Sequence, residues 1–193
     1  MAMITVLIYY PNRKGIPSMT SRFFLTHIAF LCMGCLMIIA LPSAQASPEV
    51  GKTAPALEAK TIDGKKFVLS DAAGKVVLIN FWASWCSPCR KEMPAMETYY
   101  QKYKDKGVRI LAISMDDPED DAKVRAVMQA YSYPAAFQRD ADYSDFGRIW
   151  RMPMTFIIDR HGILRKDGGV GPPSIDLGML EKVVTPLLST NGN

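Results

Sequence analysis

Cys86 and Cys89 stand three residues apart in Trp85-Cys86-Ser87-Pro88-Cys89, and two thiols at that spacing suit the exchange of a disulfide. A bridge between them closes too small a loop to serve as a useful staple, because disulfide stabilisation grows with the loop that is closed. Reactivity is the better reason for the pair. The run before it, Val76 to Trp82 (VVLINFW), is apolar throughout and rich in branched and aromatic residues, as suits a central strand buried on both faces. After the pair, Met93, Met96, Tyr99, Tyr100 and Tyr103 recur at helical spacing over Pro88 to Lys106, and Gly107 supplies a stop. The helix therefore starts at the cysteines. Unpaired N–H groups and the helix dipole favour a thiolate there, and the thiolate is the attacking species in disulfide exchange. Cys86 is expected to attack a substrate disulfide, and Cys89, one helical turn further in, to resolve the mixed disulfide. Pro88 restrains the loop at no cost in needed donors.

Glu92 follows Cys89 by three residues and shares its helical face. A carboxylate there disfavours the thiolate and can carry a proton to or from Cys89. The plainer alternative is that Arg90, Lys91 and Glu92 form a charged helix start. Trp82 and Trp85 read as residues that shape and shield the site, and the Met and Tyr stripe as core. No metal or other cofactor is expected beyond the Cys86–Cys89 disulfide itself. Two sulfurs need further ligands to hold a metal, and beyond Ala46 the chain has no third cysteine and one histidine, His161.

The elements around the site alternate. Leu57 to Thr61 and Phe67 to Leu69 form a hairpin about Asp63-Gly64. Val108 to Met115 is the next strand, and the acidic run Asp116 to Asp121 opens a helix through Tyr131. Ala135 to Gln138 reads as a weak strand and Tyr143 to Trp150 as a short helix. Thr155 to Asp159 and Ile163 to Lys166 are strands joined at His161-Gly162, and Ser174 to Leu188 is a closing helix. This is an α/β pattern around a mixed sheet, in one domain from residue 47 to 193.

The first 46 residues are of another kind. They hold no acid and three basic residues, Arg13, Lys14 and Arg22. Of the 23 basic residues twenty thus face nineteen acids in the rest of the chain, and that balance lacks the clustered basic excess of a nucleic-acid binder. Phe23 to Leu41 is free of charge and leads to Ala44-Gln45-Ala46, so residues 1–46 are expected to be a signal peptide or an uncleaved membrane anchor, with Met19 as an alternative start of translation. Cys32 and Cys35 fall inside that apolar run, out of reach of protein substrates.

The segment VGKTAPALEAKTIDGKKFVLSDAAGKVVLINFWASWCSPCRKEMPAMETYY, with MPMTFIIDRHGILRKDGG, resembles the TlpA/ResA branch of the thioredoxin superfamily over nearly all of Ser47 to Leu188. The resemblance implies a thioredoxin-like core with an added N-terminal β-hairpin and a central helix-strand insertion. It implies a membrane-tethered or periplasmic thiol-disulfide oxidoreductase that acts on cysteine pairs of exported proteins, among them apocytochrome c haem sites and copper-site assembly proteins. Its electrons would come from a membrane-embedded thiol transporter. Pro153 matches the family's cis-proline, and Met152 before it would offer its backbone to the substrate as an added strand. Trp85 and Pro88 would line the same substrate site. Glu92 matches the acidic residue that ResA-type members keep beside the cysteines. Met154 departs from the family, whose members often carry Thr there.

Ser87-Pro88, Glu92 and the resemblance favour a reductase. Potentials in this fold span roughly −270 to −120 mV, so an exported oxidant is the first alternative. A Sco-type copper-delivery module is the second, but it wants a wider cysteine spacing and a histidine ligand. A peroxiredoxin wants a Thr-x-x-Cys context that this site lacks.

Overall fold

The computed structural model describes residues 48–189. The signal or anchor segment, with Cys32 and Cys35, lies outside the described residues, and within them no helix is long and apolar enough to cross a membrane. The strands are β1 (Glu58–Thr61), β2 (Lys66–Val68), β3 (Val76–Trp82), β4 (Val108–Ser114), β5 (Ala135–Asp142), β6 (Met154–Ile158) and β7 (Leu164–Lys166). The helices are α1 (Ser87–Tyr103), α2 (Asp121–Met128), α3 (Leu177–Val183) and α4 (Thr185–Ser189). One mixed seven-stranded sheet runs in the order β2-β1-β5-β4-β3-β6-β7. Parallel β3–β4 and β4–β5 pairs sit at its centre, and β6 lies antiparallel to β3. The thioredoxin-like architecture expected from the sequence is therefore present. The α2–β5 insertion places β5 between β4 and the added hairpin.

All seven residues of β3 are buried, because alternate side chains feed two separate clusters. Val76, Leu78 and Trp82 point to the helix side, where Met93, Met96 and Tyr99 of α1, Val124 of α2 and Leu180 of α3 meet them. Each fully buried apolar side chain there contributes about 1.5–3 kcal/mol. Val77, Ile79 and Phe81 point the other way, toward Leu57, Phe146, Phe156 and Leu164. Among the described residues no α-helix covers that second face. It is closed by short 3-10 turns at Leu69–Ala72 and Ser144–Phe146 and by the chain around Ala54.

Several expected elements are corrected. Tyr143 to Trp150 is a single 3-10 turn, Ser144–Phe146, which stops where Gly147 takes φ +75°. The weak strand at Ala135 runs on to Asp142, since β1 pairs with its polar far half through Glu58↔Asp142 and Ala59↔Ala141. The closing helix starts at Leu177 with Asp176 as its cap, accepting a 2.7 Å bond from the Met179 N–H. It then breaks at Val184, because Pro186 has no N–H to return to the Lys182 carbonyl. α1 ends at Tyr103, and a 3-10 turn carries the chain to Gly107 at φ +105°.

Gly168, between β7 and α3, lies against β6 so closely that a Cβ would stand 2.5 Å from Met154 Cγ and 2.7 Å from the Thr155 backbone nitrogen. Backbone cannot yield as a side chain tip can. Gly168→Ala is expected to lift this loop and to destabilise the protein by about 1–3 kcal/mol, read as a lowered denaturant midpoint. An unchanged midpoint would mean that the loop moves freely.

Candidate active site

The end of β3 and the start of α1 bring the cysteines to the surface. Cys86 is the N-cap of α1, with φ −80° and ψ 99°, and its Sγ accepts from the Cys89 N–H at 3.3 Å. Cys86 and Cys89 form a disulfide with Cα atoms 5.3 Å apart. Cys86 is 5% exposed and Cys89 is fully buried, so whatever reaches the bridge meets Cys86 first. Pro88 is exposed in the first turn of α1, where its missing N–H costs no hydrogen bond. The two tryptophans divide. Trp82 is fully buried, whereas Trp85 is 65% exposed beside Cys86.

Pro153 reaches the same end of the sheet. β6 is antiparallel to β3 with Met154 opposite Phe81, so the residue before β6 stands where β3 gives way to the cysteine loop. The Met152–Pro153 peptide is cis, and half-buried Met152 packs against the cluster that contains both cysteines. Met154 turns away. It is buried in the cluster on the opposite face and takes no part in the surface around the cysteines.

Glu92 is not a solvated helix-start charge: Arg90 and Lys91 are exposed, and Glu92 is 3% exposed. Its Oε1 accepts from Asn80 Nδ2 at 2.9 Å, and its Oε2 from the Ile175 N–H at 2.9 Å. Asn80 Nδ2 also donates to Thr155 Oγ1 at 2.9 Å, while Asn80 Oδ1 is buried without a partner. Burial pushes the Glu92 carboxyl up to about 7, against the two hydrogen bonds and the Lys166 charge, which favour its ionised form. Lys166 is itself held below the usual lysine range, by burial first and then by Arg151. A carboxyl poised near neutrality thus sits one turn along α1 from the buried cysteine.

Sequence reasoning missed Asn80, Thr155 and the loop residue Ile175. Asn80 left a trace, as the one polar residue in VVLINFW. It also missed Asp116, which holds the chain just before the cysteines. The Asp116 carboxylate accepts from the Ser84 N–H at 2.9 Å, Ser84 Oγ at 2.6 Å and Ser114 Oγ at 2.7 Å. His161 lies beyond the far end of β6 from Pro153, so the one histidine past residue 46 does not converge with the sulfurs. Among the described residues no three His, Cys, Asp or Glu side chains are grouped to hold a metal.

Residues 50–167 match the model of the AhpC/TSA family. The chain belongs to that family. Thiol-disulfide oxidoreductase ResA of Bacillus cereus is 38% identical over 122 residues, covering 62% of this chain and 69% of that protein. Thioredoxin-like protein YneN of Bacillus subtilis is 39% identical over 118 residues, covering 60% and 68%. Among solved structures, a DsbE-type thiol:disulfide interchange protein from Chlorobium tepidum superposes with TM-score 0.60 at 31% identity, over 74% of this chain and all of that one. The thioredoxin domain of a Bacteroides vulgatus thiol-disulfide oxidoreductase gives 0.62 at 26%, over the same shares. With these relatives and this fold, the family member described here is a thiol-disulfide oxidoreductase.

The buried carboxyl makes a prediction whose sign can be worked out. Its folded value of about 7 lies above the ordinary 4.5, so between those pH values the folded protein keeps a proton that the unfolded chain releases. Stability is then lost as pH rises through that window, by at most roughly 3 kcal/mol. Glu92→Gln should flatten that slope in urea melts of the oxidised protein. The Gln oxygen still accepts from Ile175, and its amide finds Asn80 Oδ1 once the Asn80 amide turns over. In the reduced protein the same variant should lower the Cys86 thiol pKa, followed by thiolate absorbance, because a neighbouring negative charge is gone. A thiol pKa and a stability slope both unchanged would make Glu92 a passive structural group.

Proposed function

We propose that the protein is an extracytoplasmic reductant of disulfides in exported proteins, with Cys86 as nucleophile, Cys89 as resolving thiol and Glu92 as proton carrier. The observation that carries this reading is the grouping at the start of α1: Cys86 with its edge exposed, Cys89 fully buried, and one helical turn further along a buried carboxyl near neutrality. In the reduced protein the Cys86 thiolate attacks one sulfur of a substrate disulfide, forming a mixed disulfide with it while the other substrate sulfur leaves as a thiolate. Cys89 then gives its proton to Glu92 and attacks Cys86 Sγ, expelling the first substrate sulfur as a thiolate. Two electrons pass to the substrate, the expelled thiolates take up protons, and the Cys86–Cys89 bridge remains. The raised pKa matches Glu92 to this transfer, because a base works best when its pKa is near the working pH.

Around this step the cis Met152–Pro153 peptide offers the Met152 backbone to a substrate strand, with Trp85 and Pro88 beside it. The resemblance to ResA-type proteins supports a role in cytochrome c maturation or copper-site assembly, with a membrane thiol-electron transporter restoring the dithiol. Residues 1–46 act in this reading as the export signal or membrane anchor, which puts the domain in the periplasm or its equivalent.

Two measurements test the reading. The Cys89→Ser variant should accumulate mixed disulfides with exported proteins through Cys86, and the intact pair equilibrated with glutathione should show a potential well below −120 mV. A value near that of strong oxidants would assign the protein to disulfide formation instead. A reporter that is active only after export, fused after Gly51, should give signal. A reporter that stays inactive would reject the extracytoplasmic placement.

A further inference from the structure

Beside Cys86 the surface carries charge that no acidic side chain among the described residues answers. Ser84, Trp85, Ser87, Arg90, Lys91 and Tyr131 line an open groove of about 370 Å³, and none of the six is acidic. Arg90 and Lys91 are exposed, and within the described residues neither forms an ion pair. Six other cations find acids, among them Lys102 with Glu181, Lys123 with Asp120 and Arg139 with Asp121, and what distinguishes Arg90 and Lys91 from the remaining unpaired cations is their place in the groove beside Cys86. The walls of the groove are firm. Tyr131 stacks on Tyr133 at 5.6 Å and 22°, and Tyr133 is anchored in the core. Ser84 is clamped by Asp116, which holds the chain leading into Trp85.

Trp85 and Ser87 flank Cys86 in sequence and line this groove, so a peptide whose sulfur meets Cys86 has residues near its cysteine within reach of it. An aromatic wall and two unanswered cations there complement a carboxylate on a short apolar stem. We propose that the protein selects disulfides that carry an acidic residue within a few positions of the attacked cysteine, read by Arg90 and Lys91. This rests on Cys86 being the nucleophile and names the substrate class of that same site. Exposed ion pairs contribute about 0.2–1 kcal/mol each. Two of them correspond to a preference of about 2- to 30-fold, screened by salt.

The test uses the reduced protein, freed of reductant, and disulfide-bridged peptides that differ only in a Glu, Gln or Lys beside the attacked cysteine. Second-order exchange rates should fall in the order Glu, Gln, Lys, with a Glu-to-Lys ratio of about 2–30 at low ionic strength that shrinks at high ionic strength. In the Arg90→Gln/Lys91→Gln protein the ratio should approach one. The ratio compares two substrates on one protein, so any change in the reactivity of Cys86 itself cancels. A ratio near one in the unmodified protein, or one that the double substitution leaves in place, would overturn the proposal. Exchange with none of the peptides would overturn the disulfide-exchange reading and the proposal with it, a distinguishable result.

Discussion

A carboxyl group that leaves water without a cation in contact must be held by hydrogen bonds or keep its proton. Glu92 stands between those two solutions, and much of the active end is arranged around it. Its oxygens tie α1 to β3 through Asn80 and to the loop before α3 through Ile175. Asn80 passes the connection on to Thr155, one residue into β6 from Met154. One side chain thus joins the strand that delivers the cysteines, the helix that carries them and the strand that follows the cis-proline. The two hydrogen bonds favour the ionised form but do not outweigh burial, which is why the carboxyl rests near neutrality.

The surroundings divide the work between rigid and adaptable parts. The helix face of the sheet is a continuous apolar cluster that includes both cysteines, so the redox pair sits in the core of the domain. Asp116 fixes the approach to them with neutral donors alone. On the opposite side, Arg151 donates to the carbonyls of Gly168 and Gly171 at 2.7 and 3.0 Å. It thereby joins the segment before the cis peptide to the loop that leads to Ile175. Exposed Trp150 and Val170 belong to these same two segments, which gives the active end apolar surface on a side away from Arg90 and Lys91.

What could be read from the sequence follows from how local each signal is. The apolar run of β3, the helical stripe of α1 and Gly107 are local patterns, and the cysteine pair between them could be placed at a helix start without a structure. Glu92 could not be separated from Arg90 and Lys91 by type or spacing. Its burial depends on Asn80 and Ile175, twelve residues before it and 83 after it. The polar half of β5 is a strand only because β1 lies against it, and no alternation within β5 announces that. The closing helix was overextended because its apolar pattern continues past Pro186, while the missing N–H of that proline decides the break. Asp116 reads as one more acid of a helix opening, since Ser84, whose N–H and hydroxyl satisfy it, lies 32 residues earlier.

The order of strands has a further consequence. An open sheet has two free edges, and unpaired backbone along an edge is a template for pairing with another chain. Here β2 and β7 are the outer strands, each three residues long. β2 presents Lys66 at its start, and the outer side of β7 is taken up by the chain at Gly51 to Ala54. Gly51 donates to the Leu164 carbonyl at 2.8 Å and Lys52 accepts from the Leu164 N–H at 2.9 Å. In the proposed role the protein would meet partly folded, disulfide-bonded chains with many exposed strands. Short, charged or occupied edges leave those strands little to add to, so contact with a client is directed to the cysteine end and the protein is protected from aggregating with its own substrates.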